Sequence, residues 1–172
     1  MNSSILGFFT LISSESHLIW NKMSLPEGYE FRKLQASDFT NNYTETLKVL
    51  TTVGDISQEQ FTDLFNYWSS LPEIFHPHVI TDANGVVVAT GMLLVERKLI
   101  HSCGFVGHIE DISVDKHQQG KKLGHFMITS LVELSKKLNC YKVILDCDQS
   151  NVGFYEKCGL KPAGVEMTKR FI

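Results

Sequence analysis

The stretch from Val106 to Gly124 (VGHIEDISVDKHQQGKKLG) constrains the fold of this chain more than any other. Its first part is aliphatic but interrupted by two carboxylates, which is typical of a strand covered on both faces. A polar loop follows, and Gly120 and Gly124 stand where an amphipathic helix would begin. Free N–H groups and the positive end of a helix dipole favour a phosphate there, and glycine lets it approach the backbone. The stretch therefore predicts a strand that ends at an anion-binding loop.

The composition fits one soluble globular domain of 172 residues, 43% of them apolar and 20% charged. A net charge of −3 argues against a nucleic-acid partner, because there is no excess of Lys and Arg to neutralise phosphates. The cysteines form no CxxC pair and the histidines show no helical ligand spacing, so we expect no metal and no disulfide framework. We interpret the four cysteines as reduced thiols of a cytoplasmic protein: Cys103, Cys140, Cys147 and Cys158.

Residues 1–22 are interpreted as an N-terminal extension, either loose or docked on the domain, and residues 23–172 as the domain itself. The apolar segment 5–12 is far shorter than the roughly 20 residues that span a bilayer. It also lacks the Lys or Arg that precedes the apolar part of a secretory signal. We therefore expect neither a membrane span nor a cleaved signal.

Hydrophobic periodicity and turn signals predict ten elements in the rest of the chain. Ser57 and Gln60 form a capping-box pattern at a helix start, and Asn84-Gly85 indicates a hairpin turn. Gly159 is expected to end a short helix. The predicted helices are 37–52 (starting at Ser37 or Asp38), 57–71, 120–138 and 151–157; the predicted strands are 29–34, 79–81, 86–96, 106–114, 141–147 and 163–171.

This order of elements, β-α-α-β-β-β-α-β-α-β, predicts an α/β fold with helices on both faces of a mixed, mostly antiparallel sheet. The fourth and fifth strands are joined by a long helix, so they should be parallel.

A ligand should lie at the carboxyl ends of those two parallel strands. Glu110 and Asp111 lie near the end of the fourth strand, Asp146 lies at the end of the fifth, and Tyr155 lies in the helix that follows. These four side chains can converge beside a phosphate-bearing molecule. The alternative is that the acids are merely solvated and that Tyr155 packs beneath the sheet; spacing does not decide between them.

The segment 114–124 resembles the acetyl-CoA-binding segment of the Gcn5-related N-acetyltransferases. One position departs from the superfamily pattern Q/R-x-x-G-x-G/A, because Lys122 replaces its first glycine. Further distinctive words are SLPEGY, TETLKVLTTVGDIS, ERKLIH, GHIEDISV, QQGKKLG, NCYKVILDCDQSNVGFYEKCG and AGVEM. Through these words, residues 24–170 more closely resemble the eukaryotic, especially fungal, family of glucosamine 6-phosphate N-acetyltransferases.

The resemblance implies direct transfer of acetyl from acetyl-CoA to the 2-amino group of glucosamine 6-phosphate, a step in UDP-N-acetylglucosamine synthesis. The backbone N–H of Ile112 would stabilise the oxyanion, and Tyr155 would donate a proton to the departing thiolate. Asp146 and the backbone carbonyl of Asp111 would accept hydrogen bonds from the sugar amine.

The resemblance also implies the binding residues and a homodimer with a shared active site, in which Arg170 would reach the sugar phosphate of the partner's site. The implied acetyl-CoA contacts are Ile112, Ser113, Val114, Gln119, Gly120, Lys121, Lys122, Leu123, Gly124, Asn151, Phe154, Tyr155 and Lys157. The implied sugar-phosphate contacts are Thr51, Lys98, Leu99, Ile100, His101, Glu110, Asp111, Asp146 and Arg170.

Two other functions remain compatible with these residues. An acetyltransferase acting on a protein N-terminus or lysine would need an open peptide groove and no cations for a phosphate. A non-catalytic CoA-binding protein would have no use for Asp146 and Tyr155. A covalent acetyl-cysteine at Cys147 is disfavoured, since spacing places no histidine beside it to act as base.

Overall fold

The computed structural model describes residues 24–171, so the proposed N-terminal extension lies outside the described residues. A five-stranded sheet runs in the order β1 to β5. Strands β1 to β4 pair antiparallel with their neighbours, and β4 and β5 are parallel, which confirms the predicted fold class. The strands are β1 (Glu30–Lys33), β2 (Phe75–Thr81), β3 (Val87–Arg97), β4 (Phe105–Val114) and β5 (Cys140–Ile144).

Four helices flank the sheet, and the predicted helices are found apart from the first. Short turns follow four of the strands: 3-10 turns at Ala36–Thr40, Lys116–Gln118 and Gln149–Asn151, and a turn with left-handed residues at Ile100–Cys103 between β3 and β4. Within residues 24–171, none of the helices has the length and apolarity needed to cross a membrane. The helices are α1 (Tyr43–Leu47), α2 (Gln58–Ser70), α3 (Leu123–Lys137) and α4 (Val152–Lys157).

The sheet buries an apolar core on each face, because successive strand residues point to opposite sides. Val79 packs on the side of α1 and α2, with Tyr43 and Phe61. Its neighbour Ile80 packs on the side of α3, with Met127 and other fully buried aliphatic residues. Burial on both faces explains why β3, at the centre of the sheet, is apolar along most of its length.

The region predicted as one helix from 37 to 52 is instead a 3-10 turn and the short helix α1. Asn42 separates them in a left-handed conformation, with φ 70°. Its side-chain amide donates to the carbonyl of Val87 at 2.9 Å, and the Asn41 amide donates to the carbonyl of Gly85 at 2.6 Å. These bonds attach the chain to the start of β3, which interrupts the helical path.

The predicted capping box of α2 is confirmed. Ser57 Oγ accepts from the Gln60 N–H at 3.2 Å, and Gln60 Oε1 accepts from the Ser57 N–H at 2.8 Å. The predicted hairpin between β2 and β3 is also confirmed, with Gly85 at φ 79°. Such local signals act through neighbouring residues alone, which is why the sequence reveals them.

Two predictions about the later strands are wrong. Strand β5 ends at Ile144 rather than at 147, because it pairs with β4 only as far as that residue. No strand is found at 163–171, where Val165, Met167 and Phe171 are 88%, 90% and 86% exposed. A strand needs a hydrogen-bonded neighbour, and no described strand pairs with this segment.

Two buried histidines lie on β2. The His78 ring stacks on Phe31 with centroids 4.9 Å apart, and His78 Nδ1 donates to the carbonyl of His76 at 2.9 Å. Burial lowers the pKa of both histidines, because it disfavours the imidazolium form. Both are therefore neutral in the native state at a pH where free histidine begins to protonate.

Stability should consequently fall when the pH drops below about 6.5, the value for unfolded histidine. There the unfolded state binds more protons, so the free energy of unfolding decreases by up to about 1.4 kcal/mol per pH unit for each histidine. His78→Gln should flatten this dependence between pH 7.5 and 5.5, measured by urea unfolding. The exposed residue His117 provides the control, since His117→Gln should leave the dependence unchanged. An unaltered slope in His78→Gln would contradict the prediction.

The loop before α3 is longer than the sequence predicted, since the helix begins at Leu123 and not at Gly120. Gly120 has φ 84°, and Lys122 has φ 62° immediately before the helix. A left-handed conformation costs a residue other than glycine roughly 1–2 kcal/mol. Lys122 thus occupies, with strain, the position where the superfamily pattern has glycine.

Lys122→Gly should therefore leave the free energy of unfolding unchanged or raise it by up to about 1 kcal/mol, because relief of strain offsets the greater entropy of the unfolded chain. The control is Lys136→Gly in the last turn of α3, which should lose up to about 1 kcal/mol through helix propensity and the exposed ion pair with Glu133. Chemical denaturation of both variants measures the difference. Equal losses in the two variants would show that Lys122 is not strained.

Candidate active site

Strands β4 and β5 separate partway along their length. They pair from Phe105 and Cys140 to His108 and Ile144, and pairing stops there. Strand β4 continues to Val114 along β3, so its other edge has no strand beside it within the described residues. Backbone groups on such an edge can bind an extended ligand as an added strand. The predicted cleft between the two parallel strands is therefore present.

A β-bulge interrupts β4 at the mouth of this cleft. Thr90 of β3 is opposite Ser113, whereas Met92 is opposite Glu110, so β4 has one extra residue in this interval. At this extra residue the backbone of Asp111 adopts a left-handed conformation, with φ 54°. A bulge breaks the alternation of side chains along a strand. Sequence periodicity did not reveal it, because two adjacent acids fit an ordinary strand edge equally well.

At this mouth the carboxylate of Glu110 lies within electrostatic range of those of Asp111 and Asp146. Burial raises the pKa of Glu110, and the charges of Asp111 and Asp146 raise it further. Burial also raises the pKa of Asp111, which stays accessible to solvent but is surrounded by the walls of a pocket. Such carboxylates accept protons more readily than solvated ones. The cluster can therefore accept hydrogen bonds or a proton from an amine.

The pocket beside Asp111 has a volume of about 360 Å³. It lies against α1 and α2, and burial together with nearby Asp111 raises the pKa of Tyr43 in its wall. The size suits a small-molecule acceptor. Its lining residues are Tyr43, Thr44, Leu47, Ile56, Gln60, Phe61, Leu64, Trp68 and Asp111.

Tyr155 lies in α4, which follows β5 across the cleft. Its ring packs edge-on against Phe154 with centroids 5.0 Å apart. Burial raises the pKa of the Tyr155 phenol, and the neighbouring thiols of Cys147 and Cys158 add to the effect. The phenol therefore stays protonated at neutral pH and can act as a proton donor. All four cysteines are free in the structure.

The predicted phosphate loop lies beside α4. A Cβ at Gly124 would be 3.4 Å from the Phe154 ring, so glycine allows the start of α3 to approach this helix. His125 Nε2 donates to the carbonyl of Lys157 at 3.0 Å. These contacts bring the loop 119–124 next to the segment 151–157, as expected if both bind one extended molecule.

Lys121 is already engaged in this loop. Its ammonium donates to the Tyr29 hydroxyl at 2.8 Å and to Gln118 Oε1 at 2.6 Å. The loop is thereby attached to the chain just before β1.

The cations predicted to bind the sugar phosphate are not grouped as closely as the acids. Lys98 forms an ion pair with Glu96, Nζ to Oε1 2.5 Å, and the other carboxylate oxygen lies 3.0 Å from His108 Nε2. Lys98 and His108 together lower the pKa of Glu96. Glu96 and His108 are functional candidates that the sequence did not single out. They connect Lys98 along the sheet toward Glu110, two residues beyond His108.

Within one chain, the remaining predicted sugar contacts do not lie around the acids. Leu99, Ile100 and His101 lie in the turn before β4, which starts at residue 105, about 17 Å of strand from the bulge. Thr51 is exposed after α1. Arg170 lies in the exposed segment 163–171 and forms no ion pair with any residue in 24–171.

Comparison with known proteins gives consistent matches. Residues 30–160 match the acetyltransferase (GNAT) family. The chain is 67% identical over 149 residues to glucosamine 6-phosphate N-acetyltransferase of Candida albicans, covering 87% of this chain and 100% of that protein. It is 40% identical over 143 residues to glucosamine 6-phosphate N-acetyltransferase 1 of Dictyostelium discoideum, covering 83% of this chain and 90% of that protein.

The fold matches the crystal structure of glucosamine-6-phosphate N-acetyltransferase from Arabidopsis thaliana with a TM-score of 0.82 and 38% identity, over 84% of this chain and 99% of that one. A predicted acetyltransferase from Clostridium acetobutylicum, solved with acetyl-CoA, shares the fold with a TM-score of 0.64 at 15% identity, over 83% of this chain and 96% of that one. With its parted parallel strands and the match across 30–160, the chain belongs to the GNAT family of acetyltransferases.

Proposed function

We propose that this protein transfers the acetyl group of acetyl-CoA to the 2-amino group of glucosamine 6-phosphate. The observation that carries the chemistry is the opening between β4 and β5, with an acid cluster and a protonated tyrosine at its sides. The substrate is inferred from relatives named glucosamine 6-phosphate N-acetyltransferase, whose matches cover 87% and 84% of this chain. The reaction would supply N-acetylglucosamine 6-phosphate for UDP-N-acetylglucosamine synthesis in the cytoplasm.

Acetyl-CoA would enter along the free edge of β4. The backbone of Ile112, Ser113 and Val114 would pair with the pantetheine arm as an added strand. The N–H groups of the loop Gln119–Gly124 would bind the pyrophosphate, supported by the dipole of α3. Asn151, Phe154 and Lys157 would line the remaining length of the molecule, with Tyr155 near the sulfur.

In the transfer, the neutral sugar amine attacks the thioester carbonyl carbon. The N–H of Ile112 stabilises the oxyanion of the tetrahedral intermediate. The nitrogen loses a proton to the carboxylate of Asp146, and the C–S bond breaks as Tyr155 gives its proton to the sulfur. The amide product and CoA then leave, and solvent restores the protonation of both side chains. Holding both substrates in one ternary complex supplies much of the rate enhancement.

The sugar would be bound by Thr51, Glu110 and the turn at 98–101, and its phosphate by cations. Because Lys98 is already paired with Glu96, a further cation is needed. We propose that Arg170 of a second copy supplies it in a homodimer. The exposed apolar residues Leu99 (88%) and Met167 (90%) support an assembly that covers them.

A thiol-release assay with glucosamine 6-phosphate, glucosamine and a peptide amine tests the function. We expect CoA release with the sugar phosphate, and kcat/KM at least about 100-fold lower for the other two acceptors, which lack the phosphate. Preference for the peptide would identify a protein acetyltransferase. Binding of acetyl-CoA without release of CoA toward any acceptor would identify a binding protein.

Two isosteric variants test the proposed chemical groups. Asp146→Asn should lower kcat about 100-fold or more, and Tyr155→Phe about 10- to 100-fold, because each removes a group that handles a proton. The KM for acetyl-CoA should change less than about threefold in both, since the free edge of β4 is retained. Tyr67→Phe on exposed α2 is the control and should behave as wild type. A wild-type kcat in Asp146→Asn would refute its role.

Arg170→Ala should raise the KM for glucosamine 6-phosphate at least about tenfold and leave the KM for acetyl-CoA unchanged, because only the sugar carries the phosphate that Arg170 would bind. Lys169→Ala is the neighbouring control. Mixing Arg170→Ala with Asp146→Asn tests the shared site. At glucosamine 6-phosphate well below the wild-type KM, where Arg170→Ala alone retains about a tenth of the activity or less, random exchange of subunits should restore about a quarter of wild-type activity, since half of the dimers are mixed and each has one intact site. Absence of recovery in verified mixed dimers would place Arg170 within one chain.

A further inference from the structure

The bulge in β4 is held by a side chain of the neighbouring strand. Thr90 Oγ donates a hydrogen bond to the backbone carbonyl of Asp111 at 2.9 Å. Thr90 is 1% exposed, so water does not compete for this bond. Neither the sequence motifs nor the mechanism described above uses Thr90.

The adjacent residue of β3 also fits the bulge. A Cβ at Gly91 would come within 2.8 Å of Ile112 Cδ1 and 2.9 Å of the Met127 side chain. Gly91 thus leaves room for the side chain of Ile112. Thr90 bonds to Asp111, the residue that precedes Ile112. Beyond the bulge, Ser113 Oγ donates to the carbonyl of Thr46 at 2.6 Å, which fixes the end of β4 against α1.

The bond to Thr90 determines the direction of a catalytically important N–H group. The carbonyl of Asp111 and the N–H of Ile112 belong to one peptide unit, which is planar and trans, so they point in opposite directions. Since the carbonyl is directed to Thr90 on β3, the Ile112 N–H is directed away from β3. The side away from β3 is the side on which β5 has separated.

We propose that Thr90 is a positioning residue that aims the N–H of Ile112 into the cleft through its hydrogen bond to the Asp111 carbonyl. The inference rests on the proposed acetyl transfer, in which that N–H stabilises the oxyanion. Asp111 has a left-handed φ of 54°, so its peptide needs an external contact to hold its orientation. The same orientation turns the Asp111 carbonyl toward β3, so Asp146 rather than this carbonyl would accept from the substrate amine.

The test compares two substitutions at this position. Thr90→Val keeps the shape and removes the donor, and it should lower kcat about 10- to 100-fold while both KM values stay within about threefold, because only the transition state develops an oxyanion. Thr90→Ser keeps the hydroxyl and should retain kcat within about threefold. If the valine variant does not fold, Thr90→Ala serves the same comparison.

Thr46→Val is the matched control for loss of a buried threonine bond. Thr46 is fully buried, and its hydroxyl donates to the carbonyl of Val87 at 3.1 Å and not to the bulge. Its own carbonyl, which accepts from Ser113, is kept in this variant. This variant should lower the thermal midpoint and leave kcat within about threefold. A purely structural role for Thr90 would give the same pattern in Thr90→Val, with no selective loss of kcat, and would overturn the proposal.

A second readout does not depend on the sugar substrate. The backbone amide resonance of Ile112 should shift when acetyl-CoA binds the wild-type protein, and this shift should be reduced in Thr90→Val but kept in Thr90→Ser. The same shift in all three proteins would overturn the role of Thr90. Failure of the wild type to acetylate glucosamine 6-phosphate would instead refute the proposed function, while the amide measurement would still decide the orientation.

Discussion

The separation of β4 from β5 after His108 and Ile144 is the constraint on which the rest of this molecule depends. Inside an ordinary sheet, the backbone N–H and C=O groups of each strand bond to the strands on both sides. No free strand edge is then left for a ligand. Here β4 keeps its pairing with β3 up to Val114, so it stays rigid while its other edge is released. A fixed strand with one free edge provides both the rigidity and the hydrogen-bonding groups that a binding site requires.

The electrostatics of the site follow from this opening. The acids gather at the mouth of the cleft, where partial burial and mutual repulsion raise the pKa of Glu110. Two of the candidate cations are already engaged: Lys98 is paired with Glu96, and Lys121 contacts Tyr29 and Gln118. One chain thus offers an environment for an amine but only an incomplete one for a sugar phosphate. This imbalance is the physical argument for a contribution from a second copy.

Much of the fold follows from local patterns. The capping box at Ser57, the hairpin at Gly85 and the end of α4 before Gly159 each depend on residues a few positions apart, and all three are found. The errors occur where distant groups compete with local preference. Asn41 and Asn42 bond to β3 and break the predicted first helix, and the segment 163–171 carries strand-like residues without a neighbouring strand.

The sequence by itself determined the order of the elements from β1 to α4 and the parallel pairing of β4 with β5, because periodicity and turn residues are properties of short segments. Only the tertiary structure decided where β5 leaves β4, that β4 bulges at Asp111, and that Thr90 bonds to the carbonyl there. The reason is that strand register and bulges are set by pairing between segments far apart in the chain, here residues 87–97, 105–114 and 140–144.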